Sequence, residues 1–529
     1  MENFSLIILL LAVITALAQL TDKIKIPYPV LLVITGMAIG FIPHLPPIEL
    51  DPDTVFLLFL PPVLYAAAWN TSWFEFKAAA RPISLLAIGC VLFTTVLIAI
   101  VVHHFIPGFG WAESFVLGAI ISPPDAVAAS AATKGLRIPK RIITILEGES
   151  LVNDATGLIA YRYAISVVAG GGFIFWLAAV NFFYVAVGGI LIGIAIGYIF
   201  YWIHRITPDN ATTDTTFTIV APYTAYLVAE YFHTSGVLSV VMCGLLLSWT
   251  SSEVFNHQTR IQANAVWDTL IFLLNGIIFI LIGLQLPVIL ENINDTSFMT
   301  LVGYGAIVSL ATIMIRIVWV FPATYLPRWL SKHIRTTEPK PATGAVALVA
   351  WSGMRGVVSL AAALALPITI NINNKSVPFP HREMIIFLTF SVIFSTLVIQ
   401  GLTLPTLVRW FNIKAPENDG LEENARLQIA YAAIEHIEEN YSLSLTEEVL
   451  SQVKKKYEMR IQRMQKDPDQ NKLSEQQIRE FLKAQNDILS HERKMIIDLR
   501  NKGKIGDEVL HRIEYELDLE ETRLRLELN

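Results

Sequence analysis

Three of the ionisable residues inside the long apolar stretches of this 529-residue chain stand beside helix-breaking or polar motifs. Asp125 closes Ser122-Pro-Pro-Asp125, Asp154 closes Glu147-Gly-Glu-Ser-Leu-Val-Asn-Asp154, and Arg355 lies in Trp351-Ser-Gly-Met-Arg-Gly356. An ionisable group at the centre of a membrane helix costs about 2.5–3.5 kcal/mol or more on insertion scales, and it usually faces a partner or a water-filled cavity. Asp154 is the most informative of the three. Its oxygens can hold a proton or a metal cation. A low dielectric favours the protonated acid and a nearby cation favours the carboxylate. Competition for the same oxygens becomes coupled exchange if the site opens to one side at a time.

Helical spacing distributes the neighbouring roles. Ser150 and Asp154 are four residues apart and share a face, with Glu147 one turn earlier. Glu149 lies about 140° around the helix from Asp154, on the side of Asn153. It is therefore expected to pair with Arg355 as a structural ion pair, whose rupture would cost about 3–5 kcal/mol. Pro123 and Pro124 lack N–H groups, so the carbonyls of Ala119 and Ile120 lose their helical partners. A helix broken at membrane depth is tolerated where it lines a cavity, and freed carbonyls suit a hard cation.

The elements that position these residues follow from composition. The chain is 54% hydrophobic and 16% charged, more apolar than soluble domains. Residues 1–412 carry 20 Lys/Arg and 20 Asp/Glu, while residues 413–529 carry 19 and 25. The shift marks a membrane domain, 1–412, followed by a charged tail, 413–529. Runs able to cross about 30 Å of hydrocarbon fall near 4–20, 27–42, 54–69, 83–104, 111–133, 141–168, 176–204, 215–231, 235–250, 264–288, 297–326, 341–370 and 381–410. The first lacks a basic leader and a cleavage site, so it is expected to be retained as a span. With the N-terminus outside, fourteen Lys/Arg fall in inner loops and two, Lys375 and Arg382, in outer loops. That asymmetry obeys the positive-inside rule and makes the tail cytoplasmic. Glu49–Asp53 and Glu291–Asp295 supply acidic outer loops. Asp125, Asp154 and Arg355 each lie roughly 20 Å from a helix start, at one depth. The Pro-Pro and Gly-Met-Arg-Gly interruptions occupy matching places in two halves, as in inverted-repeat transporters. The expectation is an all-α membrane protein of thirteen transmembrane helices in two inverted six-helix repeats with broken crossing helices, plus a helical cytoplasmic tail.

Other classes are disfavoured. A net charge of −6 argues against nucleic acid binding. Cys90 and Cys243 form no framework or thiolate site and read as packing residues. There is no HExxH motif, Ser-His pair or cofactor fingerprint, so an enzyme is not expected, nor any cofactor. A cation channel would need a continuous pore and usually filter repeats. An anion site at Arg355 is opposed by the acids at its depth.

Glu149-Ser-Leu-Val-Asn-Asp154, Gly353-Met-Arg-Gly356 and Ser122-Pro-Pro-Asp125 together resemble the landmarks of the monovalent cation/proton antiporters, in the sodium/proton exchanger branch with an Asn-Asp pair. The resemblance spans essentially residues 1–412. It implies a thirteen-span homodimer in a bacterial inner membrane, with a dimerisation domain and a mobile core moving as an elevator. It implies that Asp154 binds cation or proton, that Asp125 and Ser150 coordinate or support, that Asn153 is the neutral partner, and that Glu149–Arg355 is the buried pair. The Asn-Asp form implies electroneutral exchange of Na+ for H+, with K+ or Li+ as alternatives. One departure is that Pro124 precedes Asp125, where many relatives place the proline after the aspartate.

The remaining polar residues receive plainer readings. Glu147 is expected to be a wetted residue of the inner funnel, Arg162 to snorkel, and Glu230 and Arg316 to enter helix-packing ion pairs. Asp268 reads as a solvated or capping residue, Asn275 as a packing hydrogen bond, and His103-His104 as interfacial. In the tail, helices are expected over 421–466, 473–502 and 506–527, broken at Asp467-Pro468 and Asn501-Lys-Gly503. Lys454-Lys-Lys456 is a solvated basic cluster. Phe481, Ile488, Met495 and Leu499 share one face, expected to pack on tail helices or a dimer mate.

Overall fold

A computed structural model describes the chain except residues 1, 25, 43–54, 134–135, 137, 171–174, 292, 294–296, 338–339, 373–374, 414–418, 442–445, 465–474, 503–512, 514–515 and 523–529. The Glu49–Asp53 loop, Asp295, Lys25, Lys134, Arg137, the Asp467-Pro468 and Gly503 breaks, and most of the expected 506–527 helix therefore lie outside the described residues. The chain divides into two compact units, Met1–Pro416 and Glu417–Asn529, against an expected boundary at 412/413.

In the first unit, α1 (Glu2–Ile24), α2 (Tyr28–Gly40), α3 (Leu60–Asn70) and the short α4 (Trp73–Ala78) precede α5 (Ala80–Phe105). Next come α6 (Trp111–Ile121), α7 (Ala126–Thr133), α8 (Lys140–Val168), α9 (Phe175–Ile206), α10 (Ala211–Tyr231), α11 (Gly236–Val254), α12 (His257–Glu291) and α13 (Phe298–Leu330). The short α14 (Lys332–Thr337) leads to α15 (Thr343–Trp351), α16 (Val357–Leu364), β1 (Thr369–Ile372), β2 (Lys375–Pro378) and α17 (Arg382–Trp410). Each expected apolar run contains a helix. Among the described residues, seven segments are long and apolar enough to cross a membrane: α5, 111–133, α9, α11, α12, α13 and α17. α8 falls outside that set because its own polar and charged residues lower its hydropathy.

Local chemistry sets several boundaries. Asn210 caps α10 by accepting from the N–H groups of Thr212 and Thr213 at 3.0 and 3.1 Å, and Ser235 caps α11 through Leu238 at 3.2 Å. A π-turn over Leu85–Cys90 widens α5. There the Leu85 carbonyl accepts from the Trp319 indole at 3.0 Å. α2 and α12 cross so closely at Gly36 and Gly283 that a Cβ on either would strike the other's backbone.

One difference from the expected all-α fold concerns 341–378. The run 341–370 is interrupted at 352–356, where the Gly-Met-Arg-Gly motif was expected to break it, and forms two helices. Beyond it β1 and β2 pair antiparallel, Thr369 opposite Pro378 and Ile372 opposite Lys375. Pro367 prevents continuation of α16, and the β-branched Thr369, Ile370, Ile372 and Val377 favour strands.

Apolar packing forms two clusters. One gathers buried residues of α1, α2, α5–α8, α13, α15–α17 and the C-terminal half of α12. The other joins α3, α9, α10, α11 and the N-terminal half of α12. α8 runs between them. Ile142, Tyr161 and Ala164 belong to the first cluster, Leu151 and Ala155 to the second.

The second unit contains α18 (Asp419–Tyr441), α19 (Glu447–Met464) and α20 (Glu475–Asn501), so the expected 421–466 helix is two helices. Its buried apolar side chains include Ala430, Ile437, Ile461, Leu489 and Ile496. The expected face is displaced by one residue. Ile488 and Met495 are 57% and 55% exposed, whereas Leu489 and Ile496 are buried. Phe481 lies outside the described side chains. Lys454 pairs with Glu438 at 2.6 Å.

Candidate functional site

α6 ends at Ile121 and α7 starts at Ala126, because Pro123 and Pro124 cannot donate. Four carbonyls at this break, those of Ala119, Ile121, Ser122 and Pro124, are taken up by side chains. Ser122 Oγ donates to Ala119 O at 3.1 Å. Arg355 Nε donates to Ile121 O at 2.7 Å and Nη2 to Ser122 O at 3.3 Å. Asn153 Nδ2 donates to Pro124 O at 2.7 Å. Of the two carbonyls expected to be freed for a cation, that of Ala119 is thus held by Ser122 Oγ instead.

Asp125 joins the two interruptions. Its N–H donates to Met354 O at 2.7 Å, and its Oδ1 accepts from Val127 N at 2.8 Å, capping α7. Ser150 Oγ accepts from Ala126 N at 3.3 Å. Thus Asp125 and Ser150 both serve the start of α7, and Asp125 packs on Gly356. A Cβ at Gly356 would collide with Asp125 Oδ2 and Cβ, so only glycine fits that position. Arg355 N donates to Thr396 Oγ1 at 3.1 Å, which ties the second break to α17.

The buried ion pair is not the expected one. Arg316 of α13 donates to Glu149 through Nη1 at 2.6 Å and Nη2 at 2.8 Å, and Nη2 also reaches Val349 O at 3.1 Å. Both side chains are 1% exposed. Arg355 spends its guanidinium on the carbonyls of Ile121, Ser122 and Gly353. Glu149 does lie on the face of α8 away from Asp154, as its spacing requires. That face meets α13, so the partner comes from there. Two fixed N–H···O bonds per guanidinium are the geometry that makes such a pair strong.

Asp154 is different. It is 7% exposed, and among the described residues no side chain or backbone group pairs with its carboxylate. It opens on a cavity of about 320 Å³. The same cavity is lined by Asp125, Ser150 and Glu147, and by Asp268 and Asn275 of α12. α12 thus adds an acid and an amide whose position no single-helix spacing could disclose. A pocket of this size, walled by apolar side chains with a few converging oxygens, suits a partly hydrated monovalent cation. Among the described residues, no cluster of three or more His, Cys, Asp or Glu could hold a resident metal.

One further expectation is revised. Arg162 does not merely snorkel but is the partner in the helix-packing ion pair expected of Glu230: Arg162 Nη2 donates to both carboxylate oxygens of Glu230 at 3.0 Å. His103 and His104 lie at the end of α5 as expected, and His103 Nδ1 lies 2.8 Å from Phe109 O.

Residues 8–410 match the family model for the sodium/hydrogen exchanger, transmembrane. An uncharacterised Na+/H+ exchanger of Mycobacterium tuberculosis is 32% identical over 525 residues, 98% of this chain and 95% of that protein. A sodium, potassium, lithium and rubidium/H+ antiporter of Bacillus pumilus is 31% identical over 481 residues, 89% of this chain and 71% of that one. The solved sodium proton antiporter MjNhaP1 of Methanocaldococcus jannaschii superposes with a TM-score of 0.61 at 20% identity, covering 77% of this chain and 99% of that one. At that identity the likeness is one of fold.

Proposed function

This chain belongs to the sodium/hydrogen exchanger family, and from that premise we propose that it is a secondary-active, electroneutral Na+/H+ antiporter in which Asp154 carries the cation or the proton. One observation carries the reading. Of the three acids nearest the breaks, Glu149 is neutralised by Arg316 and Asp125 caps α7, while Asp154 has no partner among the described residues and faces the cavity. Its charge must be met by something that comes and goes, because an unpaired buried carboxylate is costly.

Asp154 holds Na+ or H+ in alternation, with Asp125 and Ser150 as coordinating or supporting oxygens. Asn153 is the neutral partner that fixes Pro124. With one exchangeable carboxylate, the loaded site bears the same charge with either ion, so a cycle moves no net charge. Thirteen crossings place the N-terminus outside and the tail in the cytoplasm of a cell inner membrane. α9 links two inverted six-span repeats, in which the broken pairs α6/α7 and α15/α16 correspond. Two chains form a homodimer, and alternating access exposes Asp154 to one side at a time.

K+/H+ exchange by the same mechanism is the second reading. It is favoured by the Bacillus pumilus relative, whose described substrates include potassium. The test uses proteoliposomes with an internal pH dye, pulses of Na+, K+ or Li+, and a clamped membrane potential. Cation-driven proton efflux insensitive to potential supports electroneutral antiport and names the ion. Flux that scales with potential overturns electroneutrality.

A further inference from the structure

The Arg162–Glu230 pair joins the C-terminal segment of α8, which packs in the first apolar cluster, to α10 of the second. Arg162 stands on α8 between Tyr161 and Ala164 of the first cluster. Glu230 is the penultimate residue of α10, whose Ala221 and Ala225 belong to the second. The pair lies on the opposite side of Asp154 from the polar part of the cavity. From Asp154, the cavity continues past Ser150 to Glu147, toward the Lys140 end of α8, and includes Asn70 at the end of α3. Arg162 is eight residues the other way, about 12 Å beyond Asp154, and neither it nor Glu230 lines the cavity. The open side and the bridged side are thus opposite ends of one helix.

We propose that Arg162 and Glu230 form a latch between the two bodies of the membrane unit, closed while Asp154 faces the cavity and released whenever it is exposed to the other side. The proposal rests on alternating access at Asp154. The pair is suited to repeated release. The side chains are 54% and 32% exposed, and an exposed ion pair of this kind shifts an equilibrium by only roughly 1.5- to 5-fold. Glu149–Arg316, at 1% exposure, is by contrast a fixed joint between α8 and α13 within the first cluster. A cycle that kept the second pair and broke the first would move α8 with α13 against α10.

The test replaces both partners, Arg162→Cys with Glu230→Cys, in the full chain reconstituted in proteoliposomes. A reducible bis-methanethiosulfonate reagent then joins the two positions. The native Cys90 and Cys243 are buried, and treated wild type controls for them. The expected result is loss of cation-coupled proton flux by tenfold or more on joining, restored by reduction. The uncrosslinked Arg162→Gln chain should retain flux, with apparent cation affinity on the Arg162 side raised roughly 1.5- to 5-fold. Undiminished flux in the joined protein overturns the latch while leaving antiport standing. Failure of the reagent to join the positions contradicts the contact. Absence of cation-coupled flux in wild type overturns the antiport reading and the latch with it.

Discussion

At the scale of single residues, the separation of the acids is the central finding. Depth along a helix was legible in the sequence for Asp125 and Asp154, which line one cavity, while Arg355 holds the carbonyls of Ile121 and Ser122 in the same break. The partner of Glu149 was not legible. Arg316 lies near the middle of α13, so two guanidiniums occupy the same depth and spacing along α8 cannot choose between them. Only the packing of α13 on α8 decides. The consequence is a sharp difference between the arginines. Arg316→Met leaves Glu149 buried and unpaired, and should cost about 3–5 kcal/mol of stability. Pairing it with Glu149→Met should recover much of that loss. Thermal unfolding in detergent measures both. An equal loss in the single and double variants would contradict the assignment of this pair.

At the scale of elements, the breaks are where sequence and structure agree most closely and where the finer expectation changed. Pro123-Pro124 and Gly353–Gly356 announced interrupted helices because each removes a donor or a side chain from a regular turn. Spacing did not show that the two breaks bond to each other, Asp125 N to Met354 O, or that Arg355 and Asn153 occupy the freed carbonyls. Those contacts join residues more than 25 positions apart. Gly356→Ala should therefore push Asp125 off its place and lower transport at least tenfold while the chain still inserts. Serine at Ala361, which lines the same cavity away from the crossing, serves as the control. Normal flux in the Gly356→Ala protein would show that the crossing tolerates displacement. The β1–β2 hairpin falls almost wholly between the expected spans 341–370 and 381–410, in the outer loop that carries Lys375. The alternation of Thr369-Ile-Asn-Ile372 was the available signal.

At the scale of the whole molecule, the chain divides into compact units at Pro416 and Glu417, and the charge density changes near residue 412. The packing face of the tail was displaced by one position. Leu489 and Ile496 repeat at the same interval of seven as Ile488 and Met495, and composition alone does not distinguish neighbouring stripes. If the tail regulates exchange, truncation after Pro416 should preserve cation-coupled flux and alter its rate or pH profile. Identical rate and pH profile in the shortened protein would remove the tail from the mechanism.

In the proposed mechanism, competition at Asp154 sets the pH dependence of the whole cycle. As pH falls, protons displace the cation from the carboxylate, so the apparent KM for Na+ should rise, by about tenfold per pH unit once the proton dominates. As pH rises, the cation meets an already ionised site and KM becomes independent of pH. The most direct measurement follows Na+-driven proton efflux in proteoliposomes for wild type and Asp154→Asn across this pH range. The account predicts coupled efflux in wild type, with KM increasing toward acid, and no coupled efflux in Asp154→Asn at any pH. Equal flux in the two proteins would contradict the assignment of Asp154 as the exchanged carboxylate.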